Sequence, residues 1–267
     1  MKIYFVTVNY NNSKVTEEYI KNINELKASE EVHIVVVDNN SVVEDYKNLE
    51  NVCKEYSNVK LIRNEKNIGY FSGLNTGLTY VNEMTKENKQ VVIGNNDLIF
   101  DKDFIEVIEN YKQDSDILAL APNVVTSDGI FQNPHVISRV SRIRKLFFSI
   151  YYSNYYLGTL MMKSYKMFKK ETKQTEVTEE MDIYMGIGAI YVLTNNFFKH
   201  YKLLDDSVFL WGEEALLGNQ IKQVKGRMRY LPNLKVKHLE SLTTKKIPNK
   251  IKYNQAKKSY PIYKDYL

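Results

Sequence analysis

This chain of 267 residues has a short polar motif and a single acidic residue whose types bind phosphates, nucleosides or divalent cations. Asn95-Asn96-Asp97 offers two amide oxygens and one carboxylate, and such hard oxygen ligands suit a cation that bridges two phosphates. Asp38 lies between an apolar run and a predicted helix, where a carboxylate can accept from a nucleobase or a ribose while backbone N–H groups meet phosphate. Both features are also compatible with ordinary turns, because Asn and Asp satisfy backbone groups there.

A second motif, residues 67–77, places Gly69, Gly73 and Gly77 at a predicted loop-to-helix transition. The missing side chains would let a ligand or another stretch of backbone approach closely. The motif is neither a GxGxxG sequence nor a P-loop, because no Gly-Lys-Ser/Thr follows. Ligand binding and tight packing of the helix on a sheet both explain these glycines.

Glu213 and Glu214 follow an apolar run and Trp211-Gly212, and they open a segment with helical spacing. One of these carboxylates could act as a general base that removes a proton from a hydroxyl. The helix dipole also favours two acids at this position, which is a purely structural explanation. His238 ends a predicted strand and could bind a metal through a ring nitrogen, or it could be an ordinary structural histidine.

The segments that must position these residues alternate between strands and helices. Residues 2–10 and 32–38 are β-branched apolar runs, typical of strands buried on both faces of a parallel sheet. Shorter strands are predicted at 58–64 and 90–94, and a helix follows each of the first three strands. This series predicts a doubly wound α/β sheet, whose ligand crevice lies at the carboxyl ends of the strands.

The rest of the chain is less regular. Ser41 and Glu44 predict a capping box at the helix after the second strand. Past residue 100 we expect a mixed half, with a helix at 104–111 and strands at 116–125 and 188–194.

Composition favours one continuous globular unit. At about 100–200 residues per domain, the length suits one large domain. A single cysteine, Cys53, excludes a disulfide framework and suits a reducing compartment. The 37 Lys and Arg against 32 Asp and Glu are too balanced for a chain whose whole surface binds nucleic acid, so no nucleic-acid partner is expected. Without a long apolar run or a signal-peptide pattern, we expect a cytoplasmic location.

Two segments are both basic and rich in aromatic residues. Residues 139–170 hold eight Lys and Arg and no acid, and residues 235–267 hold nine Lys against two acids. Either segment could lie on an anionic membrane, and in the tail Tyr253, Tyr260, Ile262, Tyr263 and Tyr266 are interleaved with the lysines. The tail could also be a solvated basic helix whose aromatic side chains pack on the domain.

Seven motifs follow one another along the chain: VTVNYNN, VVVDNNS, NIGYFSGLNTGL, VIGNND, GIGAIYVLT, FLWGEE and LPNLKVKH. Together they resemble the family 2 glycosyltransferases of the GT-A fold, and most closely the bacterial rhamnosyl- and galactosyltransferase-like members that build capsule, O-antigen and other cell-surface polysaccharides. The resemblance implies a single GT-A domain over residues 1–240. A Rossmann-like nucleotide-sugar-binding half (1–100) precedes a mixed acceptor and catalytic half (101–240), and a basic aromatic helical tail (241–267) follows.

The resemblance also implies the chemistry. The donor is a UDP- or dTDP-sugar, the cofactor is Mg²⁺ or Mn²⁺, and a single displacement inverts the anomeric carbon. The acceptor is a hydroxyl of a cell-surface polysaccharide or a lipid-linked glycan. The implied location is the cytoplasm, with peripheral association at the inner face of the plasma membrane.

The resemblance also implies a role for each matching residue. The implied donor-binding residues are Thr7, Asn9, Asp38, Asn67, Gly69, Gly73, Asn75, Asn95 and Asn96. Asp97 and His238 are the implied metal ligands. Trp211 and Gly188 belong to the acceptor side.

The implied catalytic residues are Glu214 as the base and Glu213 as an acceptor-side carboxylate. Three positions depart from the family pattern. Asn95 replaces the first acid of the DXD motif, Glu214 is one methylene longer than the usual Asp, and Leu216 replaces a second acid. These departures keep open a catalytically inactive relative that binds nucleotide or glycan. A sugar nucleotidyltransferase is disfavoured, because VNYNNSK after the first strand is not a glycine-rich basic loop.

Overall fold

The computed structural model describes residues 1–28, 31–86, 88–112, 114–168, 175–240 and 249–267. Within these ranges nine strands form one sheet. The strands of the first half are β1 (Lys2–Asn9), β2 (Val32–Asp38), β3 (Val59–Arg63) and β4 (Lys89–Asn95). They lie in the order β3-β2-β1-β4 and pair in parallel, as their continuous β-branched sequences predict.

Three helices connect these strands: α1 (Ser13–Asn24), α2 (Val43–Lys54) and α3 (Tyr70–Met84). Alternate residues of β1 divide between the two faces of the sheet. Phe5 packs in the core cluster that contains Ile20 of α1, whereas Val6 packs in the cluster that contains Leu74 of α3. Full burial of each such side chain is worth about 1.5–3 kcal/mol. Helices therefore cover both faces, which confirms the predicted doubly wound arrangement.

The second half extends this sheet with strands of both directions: β5 (Leu98–Phe100), β6 (Ile117–Thr126), β7 (Met181–Ile183), β8 (Ile190–Leu193) and β9 (Arg227–His238). The full order is β3-β2-β1-β4-β8-β6-β9-β5, with β7 paired to β9. Because β8 runs antiparallel to both β4 and β6, the predicted mixed character of this half is confirmed.

The remaining helices are α4 (Phe104–Asn110), α5 (Arg142–Tyr151), α6 (Tyr155–Phe168), α7 (Asn195–His200), α8 (Glu213–Gln223) and α9 (Asn249–Tyr263), and a 3-10 turn (Lys264–Tyr266) follows α9. Among the residues described, no helix combines the length and the apolar character that a membrane span requires.

Strand register brings the polar strand ends to one edge of the sheet. Asn9 pairs with Asp38, and its neighbour Val8 pairs with Asn95. His238, the last residue of β9, pairs with Leu98. This edge therefore collects side chains from β1, β2, β4 and β9, which are distant in sequence.

Ser41 does not form the predicted capping box with Glu44. Helix α2 begins at Val43, and no side chain caps it. The Ser41 hydroxyl oxygen instead accepts from the Asn11 backbone N–H at 2.8 Å and from Asn9 Nδ2 at 3.1 Å. The prediction is wrong because the end of β1 lies beside Ser41, and its donor groups bind the hydroxyl oxygen that would otherwise cap α2.

Helix α9 packs three of its tyrosines on the domain, as the second explanation of the basic tail predicts, whereas Ile262 is exposed. Tyr253, Tyr260 and Tyr263 are buried. The Tyr253 hydroxyl donates to the Tyr151 carbonyl oxygen at 2.8 Å, and the Tyr260 ring stacks on Tyr152 with 4.6 Å between centroids. Four lysines of the two basic segments lie outside the described residues: Lys169, Lys170, Lys245 and Lys246.

Candidate active site

A cleft of about 830 Å³ opens at the carboxyl ends of β1 and β4, the position expected for the ligand crevice of such a sheet. The predicted site residues that line it are Asn67, Gly69, Asn95, Asn96, Asp97, Gly188, Trp211, Glu213, Glu214 and His238. Residues from both halves of the chain thus meet in one cavity.

Five predicted donor-site residues do not line this cleft: Thr7, Asn9, Asp38, Gly73 and Asn75. They support its wall instead. The Thr7 hydroxyl donates to the Gly94 carbonyl oxygen at 2.9 Å, and Asn75 exchanges two hydrogen bonds with the backbone of Leu204. A Cβ on Gly73 would lie 3.0 Å from a Val8 methyl group, so this glycine allows α3 to pack on β1.

Asp38 is fully buried and holds the turn after β2. Its Oδ1 accepts from Asn9 Nδ2 at 3.0 Å, and its Oδ2 accepts from the Ser41 backbone N–H at 3.0 Å. Arg63 Nε lies 3.6 Å from Oδ2. These contacts compensate a buried charge that would otherwise be costly.

Asn39, which we did not predict as a site residue, lines the cleft and forms hydrogen bonds with the loop between β3 and α3. Its Oδ1 accepts from Asn64 Nδ2 at 3.1 Å and from the Ile68 backbone N–H at 3.2 Å. Its Nδ2 donates to Asn67 Oδ1 at 3.0 Å and to the Gly69 carbonyl oxygen at 2.9 Å. One amide therefore fixes the loop between β3 and α3. The only sequence signal was its place beside Asp38 at a strand end.

Gly69 is required where this loop meets the loop before α8. Its φ is +97°, and a Cβ there would lie 2.5 Å from the Phe209 carbonyl oxygen. The same oxygen accepts from the Tyr70 backbone N–H at 3.1 Å. Since L side chains rarely adopt this conformation, a glycine is needed to dock one loop against the other.

Glu213 and Glu214 begin α8 and have different surroundings. Glu213 is 4% exposed, and its Oε1 has no hydrogen-bond partner. Burial, and then the charge of Glu214, raises the pKa of Glu213 to about 8. Glu214 Oε1 accepts from the Gly188 backbone N–H at 3.2 Å. A Cβ on Gly188 would lie 2.6 Å from that oxygen, so only glycine leaves room for this contact.

Asp97 and His238 lie together on the β4 side of the cleft. Asp97 Oδ1 is 3.4 Å from His238 Nε2, and Asn95 Nδ2 is also 3.4 Å from Nε2. Asn96 Nδ2 donates to the Thr16 hydroxyl at 2.8 Å, toward α1.

The described residues contain no group of three or more His, Cys, Asp or Glu side chains that could hold a metal ion. Two protein ligands still fit Mg²⁺ or Mn²⁺ in a phosphate site, because such ions are bound by one or two carboxylates and complete their shell with substrate phosphates and water. Asp97 and His238 therefore suit a cation that binds together with a diphosphate.

The charge of the cleft supports the same fit. Its described lining residues include the carboxylates of Asp97, Glu214 and Glu240, besides Glu213 with its raised pKa, and no Lys or Arg. A diphosphate that enters an acidic cleft meets like charge unless a cation accompanies it.

Three buried polar atoms of the cleft lining have no hydrogen-bond partner: Asn12 Nδ2, Glu213 Oε1 and Gln255 Oε1. Buried polar groups are normally paired, so these three atoms in one cavity suit a polar ligand. Gln255 lies on α9, and no sequence motif indicated that the tail contributes to the site.

Comparison with known proteins agrees with this architecture. Residues 4–174 match the family model described as glycosyl transferase family 2. No curated protein matches the chain in sequence.

Three solved structures share the fold, and each aligns with 90% of this chain. GalNAc-T7 with UDP, GalNAc and Mn²⁺ has a TM-score of 0.62 at 15% identity over 44% of that chain. TarS residues 1–349 of S. aureus have a TM-score of 0.59 at 13% identity over 60% of that chain. The mannosyltransferase PcManGT of Pyrobaculum calidifontis, in complex with GDP-Man and Mn²⁺, has a TM-score of 0.57 at 14% identity over 57% of that chain. The present chain thus spans about half the length of these structures.

Proposed function

The chain belongs to glycosyl transferase family 2, and from this membership and the cleft we propose that it moves a sugar from a UDP- or dTDP-sugar to a hydroxyl of a cell-surface polysaccharide or a lipid-linked glycan. The observation that carries the proposal is the pairing of two sites in one cleft. Asp97 and His238 suit a cation with a diphosphate, and Glu213 and Glu214 suit an acceptor hydroxyl.

Glu214 is the proposed general base. The Gly188 backbone N–H holds its carboxylate at the cleft wall. An acceptor hydroxyl gives its proton to this carboxylate while its oxygen bonds to the anomeric carbon, and the bond from that carbon to the diphosphate oxygen breaks. This single displacement inverts the anomeric configuration.

Glu213 has a different proposed role. With a pKa of about 8, it is mostly protonated at neutral pH, so it donates a hydrogen bond rather than accepting a proton. Neighbouring carboxyl groups in unlike surroundings commonly divide acid and base roles in this way. Trp211, the other proposed acceptor-side residue of this loop, lines the same cleft, which supports an acceptor-side role for Glu213.

A divalent cation held by Asp97 and His238 would stabilise the negative charge of the departing diphosphate. This chain's own residues orient that group. Asn39 and Gly69 shape the loop that carries Asn67 into the cleft.

The proposal is tested by release of nucleoside diphosphate from UDP- and dTDP-sugars in the presence of Mn²⁺. We expect slow hydrolysis by the wild type and none by Glu214→Gln, with nucleotide binding retained in both. Binding without turnover by the wild type would instead identify the inactive relative.

We further propose that α5 and α6 rest on an anionic membrane where lipid-linked acceptors are presented. Helix α5 exposes an apolar stripe at helical spacing, and α6 exposes three more large side chains. The exposed residues are Ile143, Leu146, Phe147, Ile150, Tyr156, Leu157 and Leu160. Arg142, Arg144 and Lys163 are exposed on the same two helices, and residues 129–170 contain no acid. Apolar and basic side chains on one surface suit the interface of an anionic bilayer.

Co-sedimentation with anionic vesicles tests this surface. Leu146→Glu, at a residue 62% exposed, should reduce binding, whereas the control Met84→Glu, at a residue 60% exposed on α3, should not. Absence of wild-type binding, or equal loss in both variants, contradicts the proposed surface.

A further inference from the structure

His238 lies beside Asp97, and its other ring nitrogen contacts Gln132, a residue that does not line the cleft. His238 Nδ1 lies 2.8 Å from Gln132 Oε1. Gln132 Nε2 in turn donates to Glu240 Oε1 at 3.3 Å. Because Gln132 is absent from the cleft lining, any effect it has on a bound ligand must pass through His238 or Glu240, the two lining residues that it contacts.

The donor and acceptor groups fix the direction of the hydrogen bonds from His238 through Gln132 to Glu240. A carboxylate only accepts, so Glu240 faces the NH₂ group of Gln132, and the amide oxygen of Gln132 faces His238. That oxygen only accepts as well, so the proton of the neutral imidazole lies on Nδ1. The lone pair of Nε2 then points to the side of the ring where Asp97 Oδ1 lies, 3.4 Å away.

We propose that Gln132 is a positioning residue that selects the Nδ1–H tautomer of His238, so that Nε2 and Asp97 Oδ1 offer two lone pairs to one divalent cation. The inference rests on the proposed function only for the identity of the ligand. Metal-bound histidines are generally oriented by an acceptor at the other ring nitrogen, and loss of that acceptor commonly weakens metal binding 10–100-fold.

The Asn95 amide agrees with this tautomer. Its Nδ2 lies 3.4 Å from His238 Nε2. An amide NH₂ group only donates, so this contact also requires an acceptor at Nε2 and a proton on Nδ1.

The direct test is the tautomer of His238 in the full-length chain without metal, read from ¹⁵N chemical shifts of the imidazole nitrogens. The chain has four histidines, so the spectrum of a His238→Asn variant assigns the signals. We expect Nδ1–H in the wild type and a mixture in Gln132→Leu. An Nε2–H tautomer in the wild type overturns the proposal whatever the enzyme's activity.

The second readout is Mn²⁺ alone, titrated by electron paramagnetic resonance. Gln132→Leu should weaken binding about tenfold. The double variant Gln132→Glu with Glu240→Gln keeps the net charge and an acceptor opposite His238 Nδ1, and it reverses only the hydrogen bond between residues 132 and 240. It should therefore retain the tautomer and bind Mn²⁺ within about threefold of the wild type. Unchanged binding and tautomer in Gln132→Leu, or loss in the double variant as large as in Gln132→Leu, overturns the proposal.

These readouts separate the inference from the proposed function. A chain that transfers no sugar can still show the Nδ1–H tautomer and its dependence on Gln132. If Gln132→Leu fails to fold, the nearly isosteric Gln132→Met removes the same acceptor and is measured instead.

Discussion

The two walls of the cleft differ in how their polar atoms are satisfied. On the wall built from β1, β2 and the loop before α3, Asp38 and Asn39 have hydrogen bonds on each side-chain oxygen, and Asn39 also donates twice. On the wall built from α8 and α9, Glu213 and Gln255 each leave a buried oxygen without a partner. Asn12 Nδ2, just after β1, is the exception on the first wall, because it also has no partner. Otherwise the first wall is a preformed scaffold, and the second has groups that a ligand must satisfy.

This contrast predicts that substitutions in the two walls have opposite consequences. Loss of a satisfied scaffold group should reduce stability, because its former partners remain buried and unpaired. Loss of an unsatisfied group should reduce activity or binding with little effect on stability.

Glu214→Gln should lower sugar transfer by about 10²–10⁴-fold, the usual contribution of a general base. The amide can still accept from the Gly188 N–H, so nucleotide affinity and the melting temperature should stay close to wild type. Steady-state kinetics and calorimetry measure both quantities. Turnover at the wild-type rate would remove Glu214 from the role of base.

Asn39→Ala should lower the free energy of unfolding by about 2–4 kcal/mol, since it removes four hydrogen bonds and leaves buried partners unpaired. The matched control is Asn12→Ala, whose Nδ2 has no partner and whose loss should cost under about 0.5 kcal/mol. Urea denaturation compares the two variants. Equal losses would break the contrast between scaffold and ligand-binding groups.

Glu213 should make stability depend on pH. Its pKa rises from 4.5 to about 8 on folding, so the folded chain retains a proton that the unfolded chain releases above pH 4.5. The associated stability is complete below that pH and declines as the pH rises through 8. Glu213→Gln should therefore flatten the decline between pH 5 and 8, by an amount on the order of a few kcal/mol. Parallel curves for the two proteins would contradict the raised pKa.

Gln255→Ala should have the smallest effect. Its unpaired oxygen contributes nothing to the folded state alone, so stability should change by under about 0.5 kcal/mol. If α9 contributes to the acceptor side, the KM for acceptor should rise several-fold while donor affinity stays constant. A rise in the donor dissociation constant instead would place Gln255 on the other side of the cleft.

The fold was largely predictable because its first half has a strong local signal. The runs IYFV (3–6) and IVVV (34–37) are apolar on both faces, which is typical of a parallel strand covered by helices. The capping box predicted at Ser41 does not form, because its hydroxyl oxygen accepts from Asn9 and Asn11, which lie about thirty residues earlier in the chain. The local sequence pattern of a capping box does not show that residues distant in sequence compete for the serine hydroxyl.

The site was predictable where residues follow strands and unpredictable where the roles depend on long-range packing. Asp97 and His238 stand at strand ends, so topology brings them together. Asn39 was missed because its four partners come from another loop. Gln255 was missed because α9 reaches the cleft only after it packs on α5 and α6. The tail tyrosines show the same limit, since composition does not distinguish a membrane face from a packed one.

The central claim is that the acidic cleft binds a nucleoside diphosphate together with a divalent cation at Asp97 and His238. Calorimetric titration of UDP, dTDP, GDP and CDP, with and without Mn²⁺, tests it most directly in the wild type and in Asp97→Ala. The account predicts that Mn²⁺ strengthens binding of UDP or dTDP at least tenfold in the wild type and has no such effect in Asp97→Ala. Equal affinity with and without Mn²⁺, or no binding of any nucleotide to folded protein, would contradict it.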